Sequence, residues 1–256
     1  MKRILIYLLV FSLLLITCGG AVLSEADLTS TSAEELLQAG KFAEANGNYE
    51  KALEYYQLAA DQEDAEALWF IGSLYYYGYG VEQSYEKALE YFQRAAEMGN
   101  VRALNSIGYM YLDGEGVDQD YQKALECIQS AVDQGEIHAQ KNMGHMYLYG
   151  LGVDQDYEKA LEYYRLAADQ GLGDAFIGLG DLYRDGRGVE QDDGKAAEYY
   201  GKALELGIDI HRILQEKVMA YLFVLNIELP FCFRYNDCAF NTRMKANSRK
   251  AEITYG

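Results

Sequence analysis

The chain has 256 residues, a single proline and a formal net charge of −18, enough length for one elongated domain with a sizeable core. Positions 19 to 208 hold 13 basic and 35 acidic side chains, a surface that repels phosphates and so excludes nucleic acid as a partner. A basic protein or peptide is compatible with it, although a solvated helical surface is the commoner origin of such charge.

The first segment stands apart from the rest. Lys2 and Arg3 precede ILIYLLVFSLLLI, the apolar run from Ile4 to Ile16, which is too short for an ordinary membrane span and suits the centre of a signal peptide. Export is therefore expected, to the periplasm, a membrane-anchored place in the cell envelope, or the medium. LITCGGA follows, where Cys18 after Leu15, Ile16 and Thr17 resembles a bacterial lipobox. Threonine before the cysteine departs from the usual Gly, Ala or Ser, and a cut after Ala21 in place of 18 would release a soluble protein. With Cys18 lipidated, the polar stretch 19–32 would tether the remainder to the membrane surface, and the membrane would be met only through signal peptide or lipid.

From position 33 onward the chain repeats. A shift of about 36 residues brings Tyr49, Tyr85, Tyr121 and Tyr157 into register, each opening a block of the type Y-x-K-A-L-E, with Asp193 opening a fifth. Ala52, Ala88, Ala124, Ala160 and Ala196 share one phase, and Ala59, Ala95, Ala131, Ala167 and Ala203 another. Gly72, Gly108, Gly144 and Gly180 recur likewise, followed by the pairs Gly78/Gly80, Gly114/Gly116, Gly150/Gly152 and Gly186/Gly188. A period of this size is a repeat architecture. Each unit predicts two helices. In 67–77, Leu68, Ile71, Leu74 and Tyr75 fall at three and four residue spacings; in 85–98, Ala88, Leu89, Phe92, Ala95 and Ala96 do the same, as one buried stripe requires. One pair cannot bury its apolar face alone, so neighbours stack into an all-α solenoid. Most of the tyrosines recur at fixed helix positions and read as packing.

The repeat also decides two apparent chemical signatures in YYYGYGVEQSYEKALEYF. The centre of Gly-Tyr-Gly, Tyr79, becomes Glu115, Leu151 and Arg187 in later copies, leaving only glycines suited to a helix end. Ser84 of Ser-x-x-Lys becomes Asp120, Asp156 and Asp192, the choice of residues that cap a helix N-terminus. An acylase would also need Ser-Asp-Asn and Lys-Thr-Gly, which the chain lacks. His138 and His145 are spaced too widely on one helix for a two-ligand metal pair, and no cofactor or metal is expected. Cys127 occupies the phase of Tyr55, Tyr91, Tyr163 and Tyr199 and reads as a structural thiol.

The motif A-x-x-x-x-G-x-L-Y-x-x-G-x-G-V-x-x-D-Y-x-K-A-L-E-Y-Y-x-x-A-A-x-x-G resembles the Sel-one-like repeat, a relative of the tetratricopeptide repeat with a longer loop between its helices. The resemblance covers 65–207. Residues 33–64, where Gly40 and Ala52 stand closer together than Gly72 and Ala88, look more like a tetratricopeptide unit. The resemblance implies a right-handed superhelical solenoid of stacked antiparallel helix pairs, and an adaptor that holds other proteins in its concave surface. A subgroup with a cysteine pair in each repeat is associated with β-lactam binding or hydrolysis, and that pairing is absent from this sequence.

After Gly207 the pattern decays. Ile210, Ile213, Leu214, Val218, Tyr221, Leu222 and Leu225 predict a capping helix over 208–229. Residues 230–256 lose periodicity, turn basic, and carry Cys232 and Cys238, a pair that an oxidising compartment could bond.

Copies that differ while their neighbours stay constant suggest a binding face on the first helices: Ser73, Tyr109, His145 and Asp181; Trp69, Asn105, Lys141 and Ile177; Tyr76, Leu112, Leu148 and Arg184. Drift at unconstrained exposed sites would produce the same pattern. From these columns the candidate partner residues are Trp69, Ser73, Tyr76, Tyr109, Lys141, His145, Asp181 and Arg184. The expectation is a non-enzymatic, monomeric scaffold of the cell envelope for a protein or peptide partner. The alternative is an envelope hydrolase of β-lactam or peptidoglycan-like substrates, for which no nucleophile with its base and oxyanion donors is evident. A purely structural envelope component is a third reading.

Overall fold

The computed structural model describes residues 31–208, and all regular secondary structure among them is helical. The expectations for the signal segment, Cys18, Cys232, Cys238, the capping helix beyond 208 and the basic tail lie outside the described residues. In chain order the helices are α1 (Ala33–Ala45), α2 (Tyr49–Ala60), α3 (Ala65–Tyr77), α4 (Tyr85–Glu97), α5 (Val101–Asp113), α6 (Tyr121–Asp133), α7 (Ile137–Tyr149), α8 (Tyr157–Asp169), α9 (Gly173–Asp185) and α10 (Asp193–Glu205). The chain divides into two compact units, Met1–Asn142 and Met143–Gly256, with the boundary inside α7.

Local sequence explains where each helix begins. Ser32 forms a capping box with Glu35 ahead of α1. Ser84 accepts from the Lys87 N–H, and Asp120, Asp156 and Asp192 accept from the N–H of Lys123, Lys159 and Lys195, so the Ser-x-x-Lys pattern is a helix cap. α3 starts two residues earlier than its apolar stripe, because Asp64 accepts from the Ala67 N–H and satisfies the orphan donors from outside the stripe. α4 ends at Glu97 with Met98 as its C-cap, followed by Gly99 at positive φ.

Antiparallel pairing then follows from composition. The alanines of the two recurrent phases are fully buried. Opposite them stand the glycines of the first helices, and a Cβ at Gly72 would meet the Phe92 ring at 2.7 Å and the Ala88 carbonyl at 3.2 Å. Tyr56 against Gly40, Ile128 against Gly108 and Tyr200 against Gly180 repeat the arrangement. A missing side chain on one helix thus receives a large one from its neighbour, which keeps the interior at the density of a protein core. Within the first unit successive pairs continue this core, α2 packing on α3 and α4 on α5; in the second, α8 packs on α9.

The loop between the helices of a pair is as regular as the helices. Gly78, Gly114 and Gly186 end α3, α5 and α9 in the left-handed conformation. Gln83, Gln119 and Gln155 reach back to the carbonyls of Tyr76, Leu112 and Leu148, each at 2.8 Å. The N–H of the following cap residue bonds a tyrosine carbonyl of the first helix, as in Ser84 to Tyr75 at 3.0 Å and Asp120 to Tyr111 at 2.9 Å. By contrast, α1 and α2 are joined by Asn46, Gly47 and Asn48 alone.

Candidate interaction surface

The lysine of each Y-x-K-A-L-E block folds over a tyrosine of its own pair: Lys87 over Tyr75 at 5.0 Å, Lys123 over Tyr111 at 5.2 Å, Lys159 over Tyr147 at 4.9 Å and Lys195 over Tyr183 at 5.1 Å. The same tyrosines stack on a ring of the second helix, Tyr75 on Tyr91, Tyr147 on Tyr163 and Tyr183 on Tyr199. Cys127 takes that place in its own repeat, half-buried and free, and burial raises its thiol above the ordinary value. These recurrent residues are therefore spent on the fold.

In the first unit the candidate residues fall into two groups. The Trp69 indole N–H donates to Ser106 Oγ at 3.0 Å, Ser73 donates to the Trp69 carbonyl, and the Arg102 guanidinium lies 4.6 Å over the indole. Arg102 also bonds Glu66 at 2.6 Å, as does Lys41 at 2.9 Å, so this carboxylate joins α1, α3 and α5. Burial alone would raise its pKa, but the bonds from Lys41 and Arg102 outweigh burial and hold it below the usual value. One step along, Asn142 donates to Asn105 at 2.9 Å. Trp69 and Asn105 thus serve as links between consecutive first helices as well as varying from copy to copy.

The second group gathers on Glu115. The Tyr76 hydroxyl donates to its carboxylate, Tyr85 lies against it, and it acts on Tyr77 and Tyr109 as well. Burial first, and then Glu115, push the Tyr76 hydroxyl well above its usual pKa; burial and Asp113 do the same for Tyr109. Tyr109 is exposed on α5, and Lys141 is half-buried on α7.

In the second unit His145 is exposed, with its ring 4.6 Å from that of Tyr149. Asp181 and Arg184 form a knot: Arg184 pairs with Asp181 and with Asp185 at 2.6 Å each, while the Tyr200 hydroxyl donates to Asp181 at 2.8 Å and accepts from Arg184 at 3.2 Å. With a side chain only 10 % exposed, Arg184 is mostly enclosed by its own repeat. The column it belongs to is not a free face either. Leu112 and Leu148 are 3 % and 6 % exposed, because this phase sits at the end of the first helix beneath the loop glutamine. Variation between copies there reflects different ways of filling one internal place.

Glu115, Tyr77, Tyr79, Tyr49 and Tyr85 stand outside the varying columns of the first helices. The available hint was that Tyr79 and Glu115 share a varying loop position immediately before a constant glycine.

Comparison with known proteins places the chain in context. The Sel1 repeat family profile matches residues 33–64, 65–100, 101–136, 137–172 and 175–208, so the match includes the first helix pair. The crystal structure of a Sel1 repeat protein from Oxalobacter formigenes is 26% identical, with a TM-score of 0.62 over 73% of this chain and 75% of that one. The protein c5321, a protective antigen of uropathogenic Escherichia coli with an SLR fold, is 33% identical with a TM-score of 0.58 over 70% of this chain, which spans 39% of that chain. A Sel1 repeat protein of Klebsiella pneumoniae, 21% identical with a TM-score of 0.53 over 72% of this chain and 91% of that one, shares the fold. A comparison with curated proteins found no match. The repeat is a protein-interaction fold whose members are generally non-catalytic scaffolds. On its five consecutive matched repeats, the chain belongs to the Sel1 repeat family.

Proposed function

We propose that this protein is an exported, non-enzymatic scaffold of the cell envelope that holds a protein or peptide on the face of its first helices, the concave face by family resemblance, and works as a monomer. The observation that carries this reading is the run of five Sel1 repeats, in which core glycines and alanines recur while exposed first-helix residues, Tyr109 and His145 among them, differ between copies. A preformed helical surface binds with little ordering cost, so many modest contacts add to a useful affinity. The acidic surface favours a basic partner. The segment from Lys2 to Cys18 supports export; among the described residues no helix is long and apolar enough to cross a membrane.

The test is affinity capture of envelope proteins on the full chain beside a variant with Tyr109, Lys141 and His145 replaced by alanine. A protein retained by the unaltered chain and lost from the variant supports the face. Equal retention by both, or a chain that stays in the cytosolic fraction on expression, overturns the corresponding half of the reading.

A further inference from the structure

The first unit carries a continuous row of tyrosine rings. Tyr49 stacks on Tyr79 with centroids 4.9 Å apart, Tyr79 on Tyr77 at 5.4 Å, Tyr77 meets Tyr76 edge-on at 4.8 Å, and Tyr76 meets Tyr85 edge-on at 5.3 Å. The rings come from two repeats, since Tyr49 opens α2, Tyr76, Tyr77 and Tyr79 come from the end of α3 and its loop, and Tyr85 opens α4; a third repeat adds Glu115 from the loop after α5. Much of the row is open to solvent: Tyr77 is 60 % exposed, Tyr79 45 % and the neighbouring Tyr109 36 %.

The charge around these rings is negative. Glu115 accepts from Tyr76 and lies against Tyr85, and Asp113 lies against Tyr109. The rest of the chain shows what such a setting attracts, because its lysines and arginines sit over aromatic rings at 4.6 to 5.5 Å in repeat after repeat. Among the described cation–ring pairs none falls on Tyr49, Tyr76, Tyr77, Tyr79, Tyr85 or Tyr109. Tyr79 has Tyr49 and Tyr77 stacked on it, so the ring surface left open is chiefly that of Tyr77 and Tyr109, which stand in the field of Glu115, a double attraction for a cation. A guanidinium suits it better than an ammonium, since it is planar, stacks on tyrosine and forms forked bonds to a carboxylate. A chain of net charge −18 adds a long-range pull of the same sign.

We propose that this tyrosine surface, with Glu115 and Asp113, is the docking site for an arginine-bearing segment of a partner protein. The inference rests on the scaffold reading and names the chemistry of its partner.

The probe is a fluorescein-labelled decapeptide with two arginines in a glycine and serine background, beside its counterpart with citrulline, which keeps the shape and loses the charge. Anisotropy is read with the full chain at physiological salt. The arginine peptide is expected to bind at least about tenfold tighter than the citrulline one. Tyr77→Ala with Tyr79→Ala, and separately Glu115→Gln, should each weaken it by about tenfold, while Glu158→Gln with Glu162→Gln on α8 should leave it unchanged. The exposed tyrosines and the isosteric Glu115→Gln leave the fold intact, which far-ultraviolet circular dichroism checks. Equal binding of the two peptides, or equal loss in the α8 variant, overturns the proposal. If the chain nevertheless retains a partner through Lys141 and His145, which lie outside this surface, the arginine site alone has failed and the scaffold stands.

Discussion

At the scale of single residues, the second glycine of each loop carries more than a turn. Gly116 has φ +73°, and a Cβ on it would lie 2.6 Å from the Tyr85 Cβ and 2.9 Å from the Tyr85 carbonyl carbon, in the preceding repeat. Gly135 has a similar φ of +80° with nothing within 4 Å. The pair separates conformational strain from steric contact. Gly135→Ala is expected to cost about 1 kcal/mol, the price of a left-handed alanine, and Gly116→Ala about 3 kcal/mol, since backbone of a neighbouring repeat must move. Urea unfolding of the two variants gives the comparison, and equal losses would mean that the loop yields freely. The same contact explains why Glu115 reaches the tyrosines at all: its neighbour Gly116 presses the loop onto the start of α4.

At the scale of the element, the second helices α4, α6, α8 and α10 are each started by a cap that sequence alone identifies. Asp156 accepts from the Lys159 N–H at 3.0 Å, and Asp156→Ala should destabilise by about 1 kcal/mol, read as a lower urea midpoint with an unchanged slope. Asp156→Asn, which keeps the accepting oxygen, should recover most of the loss. Within the first helices local sequence decides less. The apolar spacing of α3 and the glycine that ends it were evident, so the helix and its buried stripe could be placed. Variation between copies coincides with exposure at Tyr109 and His145 and not at Leu112, Leu148 or Arg184. A buried place can vary when its neighbours vary with it, as the knot of Arg184, Asp181 and Tyr200 demonstrates.

At the scale of the whole molecule, the large buried tyrosines set a limit on alkaline stability. Burial, followed by hydrogen bonding to Glu44, raises the Tyr56 hydroxyl; burial raises Tyr164, and burial with Asp181 raises Tyr200. A group whose pKa is raised by folding contributes stability that is present below its unfolded value, here 10.0, and lost as pH climbs through that value toward the folded one. The melting temperature should therefore hold from neutrality to about pH 9 and fall above pH 10. Tyrosinate absorbance at 295 nm should show a late fraction that ionises together with loss of helix. Tyr56→Phe would keep the ring against Gly40 and remove one titrating group, and its alkaline decline should be shallower.

What the amino-acid sequence determined by itself is the repeat, its helices, the caps of the second helices from α4 onward and the recurrent glycines, because each of these rests on neighbours a few residues apart or on a period visible in one dimension. The tertiary structure alone decided which side chains from different repeats meet. Ser106 under Trp69, Glu66 between Lys41 and Arg102, and Glu115 against Tyr76 and Tyr85 are pairs that join different repeats, 25 to 39 residues apart in the chain. Their partners depend on how one helix pair stacks on the next, and on a loop whose course is governed by the backbone contact at Gly116. A period announces that stacking occurs, but the register of side chains across it is set by packing in three dimensions.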